Sequence, residues 1–221
     1  MSLIETCPLP VELPLIDSVE CGFRLDQINR IMLFRSSAAM AIGEPAVALV
    51  DADMTDAATY QALLSLEGKD KGMLTPLFAE CVIPPSESSM TGGDSNETIG
   101  GIPEYNGENV TNATAAFHGA PPAVIDQMKK YAQYSDATRG FVGLRAFLFN
   151  ENGKVFYQKT AAGVIQGVPM YSLVVSNPGT EGLKTQTKNM LRWVFPHNWS
   201  EGLTVATLEF DYKSLVNVPT V

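Results

Sequence analysis

The dipeptide Asn152-Gly153 divides the stretch GFVGLRAFLFNENGKVFYQK, and aromatic and branched residues stand on both sides of it. Asn-Gly supplies the two positive-φ positions of a two-residue type I′ turn, and flanking runs of this kind form strands. The pattern predicts a tight hairpin with Glu151 facing Lys154 across the turn, a favourable opposite-charge pair.

Other strands surround that hairpin. RIMLFRS (30–36), PAVALVDA (45–52), GVPMYSLVVSN (167–177) and NMLRWVFP (189–196) all read as strands, the last with Leu191, Trp193 and Phe195 on one side. NVTNATAAFHG (109–119) reads as a weaker one. In GMLTPLFAECVIPP, Pro76 predicts an edge or a bulge, because proline cannot donate to a ladder. LTVATLEFDYKSLV alternates, which turns Ala206, Leu208, Phe210 and Tyr212 inward and Thr207, Glu209 and Asp211 outward.

Two helices are expected. TDAATYQALLSLEG (55–68) has Thr or Asp at its start and Gly after its end, with Ala57, Tyr60, Leu63 and Leu64 near one face. Pro121 and Pro122 suit a first helical turn, and Val124, Met128, Tyr131 and Ala132 follow at helical spacing, giving a helix over 122–135. The fold class is mainly β with two helices: a β-sandwich or barrel-like body, mostly antiparallel, with a flanking helix.

Two segments fall outside this scheme. Pro8, Pro10 and Pro14 exclude a regular helix over 1–20 and leave an extended arm that packs by its side chains. The rest, 21–221, reads as one β-rich domain interrupted by a long polar loop over 84–108, PPSESSMTGGDSNETIGGIPEYNGE. Loops beyond about 12–15 residues are functional or disordered.

Charge and composition narrow the function classes. Of the 221 residues 18% are charged, against about 25% in ordinary soluble domains, and the net charge is −9. An acidic balance argues against a phosphate-binding surface but suits a channel wall that repels DNA. No run of 18 apolar residues occurs and the N-terminus lacks the pattern of a secretory signal, so the expectation is no membrane contact and synthesis in a cytoplasm. Cys7, Cys21 and Cys81 are odd in number and far apart, which predicts free thiols.

The known chemical signatures are missing. His118 and His197 have no partner at metal-ligand spacing. DSNETIGG does not complete a calcium-loop pattern. The glycine pairs at 92–93 and 100–101 have no Lys or Arg nearby: there is none from Gly72 to Met128, which rules out a phosphate cradle. No G-x-S-x-G occurs, and serines in a soft tract lack the positioning a nucleophile needs. Lys129-Lys130 and Lys184/Lys188/Arg192 read as helix-surface and strand-edge charges. No enzyme activity and no cofactor are expected.

CGFRLDQINRIMLFR (21–35), the GGIPEYNG that follows a long polar loop, and GFVGLRAFLFNENGKVF with GVPMYSLVVS after a central helix come in an order that resembles virion structural proteins of tailed bacteriophages. The likeness is to those of phages of Bacteroidetes, including crAss-like ones, and covers roughly 21–212. It implies a tail-tube-like fold and a subunit of homo-oligomeric rings, in a tail tube, head–tail connector or tail hub, with DNA passing through the lumen. The place would be the virion, assembled in the host bacterial cytoplasm, with adjacent tail or connector proteins as neighbours. The loop residues Ser88, Met90, Asp94, Asn96, Glu97, Ile99, Ile102 and Tyr105, and the arm residues Leu3, Ile4, Val11, Leu13 and Leu15, would then make the contacts between subunits. A capsid-associated or decoration protein is the alternative in the same class. From another class, a glycan- or small-molecule-binding β-sandwich would use Tyr105, Trp193, Trp199 and Tyr212 as exposed aromatics. A hydrolase working through paired carboxylates is a third option.

Overall fold

A computed structural model describes residues 25, 27–35, 41–42, 47–67, 71–92, 102–133, 144–160, 163–179 and 187–217. The arm residues Leu3, Ile4, Val11, Leu13 and Leu15 lie outside the described residues, as do Asp94, Asn96, Glu97 and Ile99 of the polar loop.

The strands run β1 (Ile28–Arg35), β2 (Ala41–Ile42), β3 (Val47–Ala48), β4 (Met73–Leu74), β5 (Glu80–Val82), β6 (Ser88–Thr91), β7 (Glu104–Glu108), β8 (Thr111–His118), β9 (Leu144–Asn150), β10 (Lys154–Lys159), β11 (Ile165–Gln166), β12 (Val168–Val175), β13 (Lys188–Phe195) and β14 (Leu203–Thr207). The helices are α1 (Ala57–Ser65) and α2 (Pro122–Ala132). Every strand pairing among the described residues is antiparallel. The mainly β architecture with two helices is therefore as the sequence indicates.

β9 is the central strand. Along one side it pairs with all of β1; along the other its first residues pair with β12 and its last with β10. β12 leaves β9 after Met170 and continues against β13, which pairs with β8, which pairs with β5. The corner falls at a bulge between Tyr171 and Val174, where Ser172 adopts φ 50°. Bulges bend strands and sharpen their twist, which lets one strand serve two sheets.

A second corner closes the opposite side. After β4 pairs with β1, the Phe78 amide still donates to the Asn29 carbonyl of β1 (2.7 Å). The next amide, Ala79, donates to the Ala116 carbonyl of β8 (2.7 Å). Pro76 thus separates two short strands in different sheets, and the result is a flattened barrel.

The barrel interior is filled by alternate residues of its walls: Ile31 and Leu33, Leu144 and Leu148, Val168 and Met170, Ala113 and Phe117, Leu191, Trp193 and Phe195. Ile125 and Met128 of α2 join them. The other faces of β1, β9 and β10 carry Met32, Phe34, Phe147, Phe149, Val155 and Tyr157. These pack beneath α1, with Tyr60 edge-on to Phe147 and Phe149, and beneath the C-terminal Tyr212 and Leu215. Burial on both faces explains why IMLF and AFLF are unbroken apolar runs.

Four local expectations change. The β9–β10 connection is a three-residue loop, Glu151 to Gly153, with Gly153 at φ 71°. Asn152 is not at positive φ, and Lys154 stands opposite Asn150, so Glu151 and Lys154 do not face each other. The reason is the Asn150 side chain, whose Oδ1 accepts from the amides of Asn152 (3.1 Å) and Lys154 (2.8 Å) and stabilises the longer turn. Of the strand expected over 45–52, residues 45 and 46 lie outside the described residues; Val47–Ala48 is a strand, and a 3-10 turn over Asp51–Thr55 follows it. The segment 109–119 holds a full eight-residue strand between β13 and β5 rather than a weak one. The last strand stops at Thr207, because its partner β10 begins at Lys154. Leu208 and Phe210 still pack inward against the α1 side, without a ladder.

The helices match closely. Asp56 caps α1 by accepting from the Ala58 amide (3.0 Å). α2 begins on Pro122 with Pro121 at its N-cap and ends at Ala132.

Candidate assembly surface

Residues 83–110 leave the barrel from the end of β5 and return at the start of β8. β6 and β7 pair only with each other, with Met90 opposite Tyr105, Thr91 opposite Glu104, and a bulge between Ser88 and Met90. The Asn106 side-chain amide donates to the Thr91 hydroxyl across the ribbon. The polar loop is thus a two-stranded ribbon, its tip (93–101) lying outside the described residues.

Local sequence accounts for the ribbon. The prolines at 84, 85 and 103 cannot donate to a ladder and frame its two strands. Gly92 (φ 86°) and Gly107 (φ 107°) take up backbone that other residues resist. At its base the ribbon is tied to the body by polar bonds. Asn109 donates its amide to the Glu87 carbonyl (2.8 Å), and Ser86 and Thr111 share a hydroxyl bond (3.0 Å). The Nδ1–H of His197 donates to the Glu108 carbonyl (2.6 Å), a further tie to the ribbon stem.

Beyond that base the ribbon stands in solvent. Met90 is 59% exposed, Tyr105 60% and Ile102 68%, and Ser88 is exposed as well. The structure thus places the four described loop candidates together on one projecting element. An isolated two-stranded ribbon is marginally stable in water, and this one carries three large apolar side chains in solvent.

The aromatics considered for a glycan surface do not gather. Trp193, Trp199 and Tyr212 are buried, with Trp199 stacked on Phe195 (4.4 Å between ring centroids) and Tyr212 on Phe149 (5.6 Å); only Tyr105 of the four is exposed. Arg192 is not the strand-edge charge that the sequence suggests. Instead β13 lies between β12 and β8, and Arg192 points outward from the middle of that sheet.

Titratable groups meet at Asp51, whose carboxylate accepts from the Tyr157 hydroxyl (2.9 Å) and the Lys159 ammonium (2.6 Å). Those two bonds hold the Asp51 carboxyl below its usual range, the Lys159 bond most strongly. The cluster pins the Asp51–Thr55 turn to β10. Cys81 is a free thiol at the barrel wall, and burial pushes it up to about 12, which leaves it unreactive at neutral pH. Among the described residues no group of three or more His, Cys, Asp or Glu could hold a metal, and no helix is long and apolar enough to cross a membrane.

No protein-family model matches the chain, and no curated protein matches it. Among solved structures it is similar to a chain of the anti-feeding prophage (AFP) baseplate, solved by cryo-EM, at 8% sequence identity and a TM-score of 0.29, over 86% of this chain and 100% of that one. An overlap of that size carries no argument about fold or function.

Proposed function

We propose that this chain is a structural subunit of a bacteriophage virion. In this reading it closes into homo-oligomeric rings of the tail tube or head–tail connector, through which DNA passes, and it performs no catalysis. The observation that carries the reading is the β6–β7 ribbon, which projects from a well-filled barrel and holds Met90, Ile102 and Tyr105 in solvent. Burying these side chains against a neighbour would contribute roughly 1.5–3 kcal/mol each, and repetition around a ring multiplies weak contacts. The likeness of the sequence to tailed-phage virion proteins and the net charge of −9 support the same reading, since like charge along a lumen keeps DNA from sticking.

The test is to purify the chain, follow its mass by sedimentation over a wide concentration range, and image it by negative-stain microscopy. Rings or tubes are the expected result. A monomer at every concentration would overturn the proposal, and its retention on a glycan column would support the carbohydrate-binding alternative.

A further inference from the structure

The sheet β12–β13–β8–β5 has an inner face in the barrel core and an outer face that no described element covers. Across the middle of that outer face runs one row of register partners, Val174, Arg192, Thr114 and Val82, one residue from each strand. Val174 is 56% exposed and Val82 58%, and Arg192 is exposed between them. The row is therefore apolar at both ends and cationic in the centre. Beside that row Glu80 lies 3.5 Å from Lys188, which offsets its charge.

The ribbon has the complementary character. Its stems carry Glu87 and Glu104, both exposed, beside the apolar Met90, Ile102 and Tyr105. No Lys or Arg occurs from Gly72 to Met128, so nothing in its own stretch of sequence neutralises them. Within one chain the ribbon and the face do not cover each other, since both are exposed.

We infer that the β6–β7 ribbon of one copy docks on the outer β12–β13–β8–β5 face of a second copy of this chain, its acidic stem against Arg192 and its apolar side chains against Val174 and Val82. The inference rests on the ring-subunit reading and supplies the surface that receives the ribbon. Such a contact joins two different patches. Repeated from copy to copy it closes a ring or extends a filament, whereas two copies that exchange ribbons about a two-fold axis would stop at a dimer, which sedimentation distinguishes.

A charge-exchange experiment tests it. One variant reverses the ribbon (Glu87→Lys with Glu104→Lys) and the other reverses the face (Arg192→Glu); Val174→Glu probes the same face from the neighbouring strand. Circular-dichroism melting establishes that each is folded. Sedimentation and negative-stain microscopy read assembly at a concentration where the unmodified chain assembles. Each reversed variant alone is expected to stay monomeric, because the ribbon then meets a face of its own sign. An equimolar mixture of the ribbon and Arg192→Glu variants is expected to regain particles of the original size, with the two copies alternating. Normal assembly of folded Arg192→Glu and Val174→Glu would overturn the docking surface while leaving the ring reading intact. A mixture of folded variants that stays monomeric would also overturn it. An unmodified chain that never assembles would overturn both.

Discussion

Asn217 holds Leu74 by both of its backbone groups: Oδ1 accepts from the Leu74 amide at 2.7 Å, and Nδ2 donates to the Leu74 carbonyl at 2.9 Å. β4 has β1 on one side and no strand on the other among the described residues. The side-chain amide of Asn217 takes the place of a strand there. An open edge invites pairing with another chain, and covering it directs association elsewhere. Replacing Asn217 with Ala leaves both Leu74 groups without their partner and should cost about 1–3 kcal/mol. Urea unfolding reads the loss. Light scattering should also rise, because the exposed edge becomes a template.

The ribbon predicts the opposite separation of stability from assembly. Met90 and Tyr105 are solvent-exposed and face each other across β6 and β7, so the pair Met90→Ser with Tyr105→Ser removes little that holds the barrel. Melting of the monomer should stay within about 0.5 kcal/mol of the unmodified chain, while assembly measured by sedimentation falls. A drop in melting as large as the drop in assembly would make the ribbon part of the core fold.

Gly167 marks the tightest approach in the barrel wall. A Cβ there would lie 2.3 Å from Phe34 Cζ and 3.0 Å from both the nitrogen and the oxygen of Ala146. The Phe34 ring sits in a filled core and the Ala146 atoms belong to the central strand, so neither can give way cheaply. Gly167→Ala should destabilise by about 1–3 kcal/mol or more through overpacking, read as a lower melting temperature.

Tyr60 predicts an alkaline limit. Its hydroxyl donates to the Met54 carbonyl at 2.7 Å, and burial raises it above the ordinary phenol range. Tyr157 is raised as well, by burial first and then by its bond to Asp51. In the unfolded chain both phenols ionise near pH 10. Their contribution is therefore complete below that pH and is lost as pH rises above it, where only the unfolded state releases the protons. Tyr60→Phe should be less stable at pH 7 by about 1 kcal/mol, yet lose stability less steeply above pH 10 in a denaturant series. An unchanged slope would remove Tyr60 from the alkaline transition.

The elements legible in the sequence were those whose pattern is local. Pro121-Pro122 set the start of α2, Asp56 the start of α1, and Leu191, Trp193 and Phe195 the inner face of β13. What was not legible depended on partners far away in the chain. Ala113, Ala115 and Ala116 read weakly as a strand because alanine carries little β signal, but eight register pairs with β13 hold them. The turn after β9 departs from the two-residue form because Asn150 outcompetes Asn152-Gly153 for the turn geometry. Arg192 looked peripheral because nothing local reveals that β13 has a strand on each side. The ribbon is legible as a long polar loop, since its prolines, glycines and lack of cations are sequence facts. Its receiving face is not, because that row is assembled from four separate strands.

Ser172 gives the last test, at the corner where β12 passes from β9 to β13. Its φ of 50° is unfavourable for a residue with a Cβ, and the bulge between Tyr171 and Val174 depends on it. Glycine adopts this conformation without strain, so Ser172→Gly should fold with unchanged or slightly higher stability. Valine, branched at Cβ, resists it, and Ser172→Val should cost about 1–3 kcal/mol. The side chain at 172 is exposed, so neither change disturbs packing and the difference between them reports the backbone. Equal melting temperatures for the two variants would mean that the corner does not require a left-handed residue. A gap in the expected direction would show that the corner requires left-handed backbone at this position.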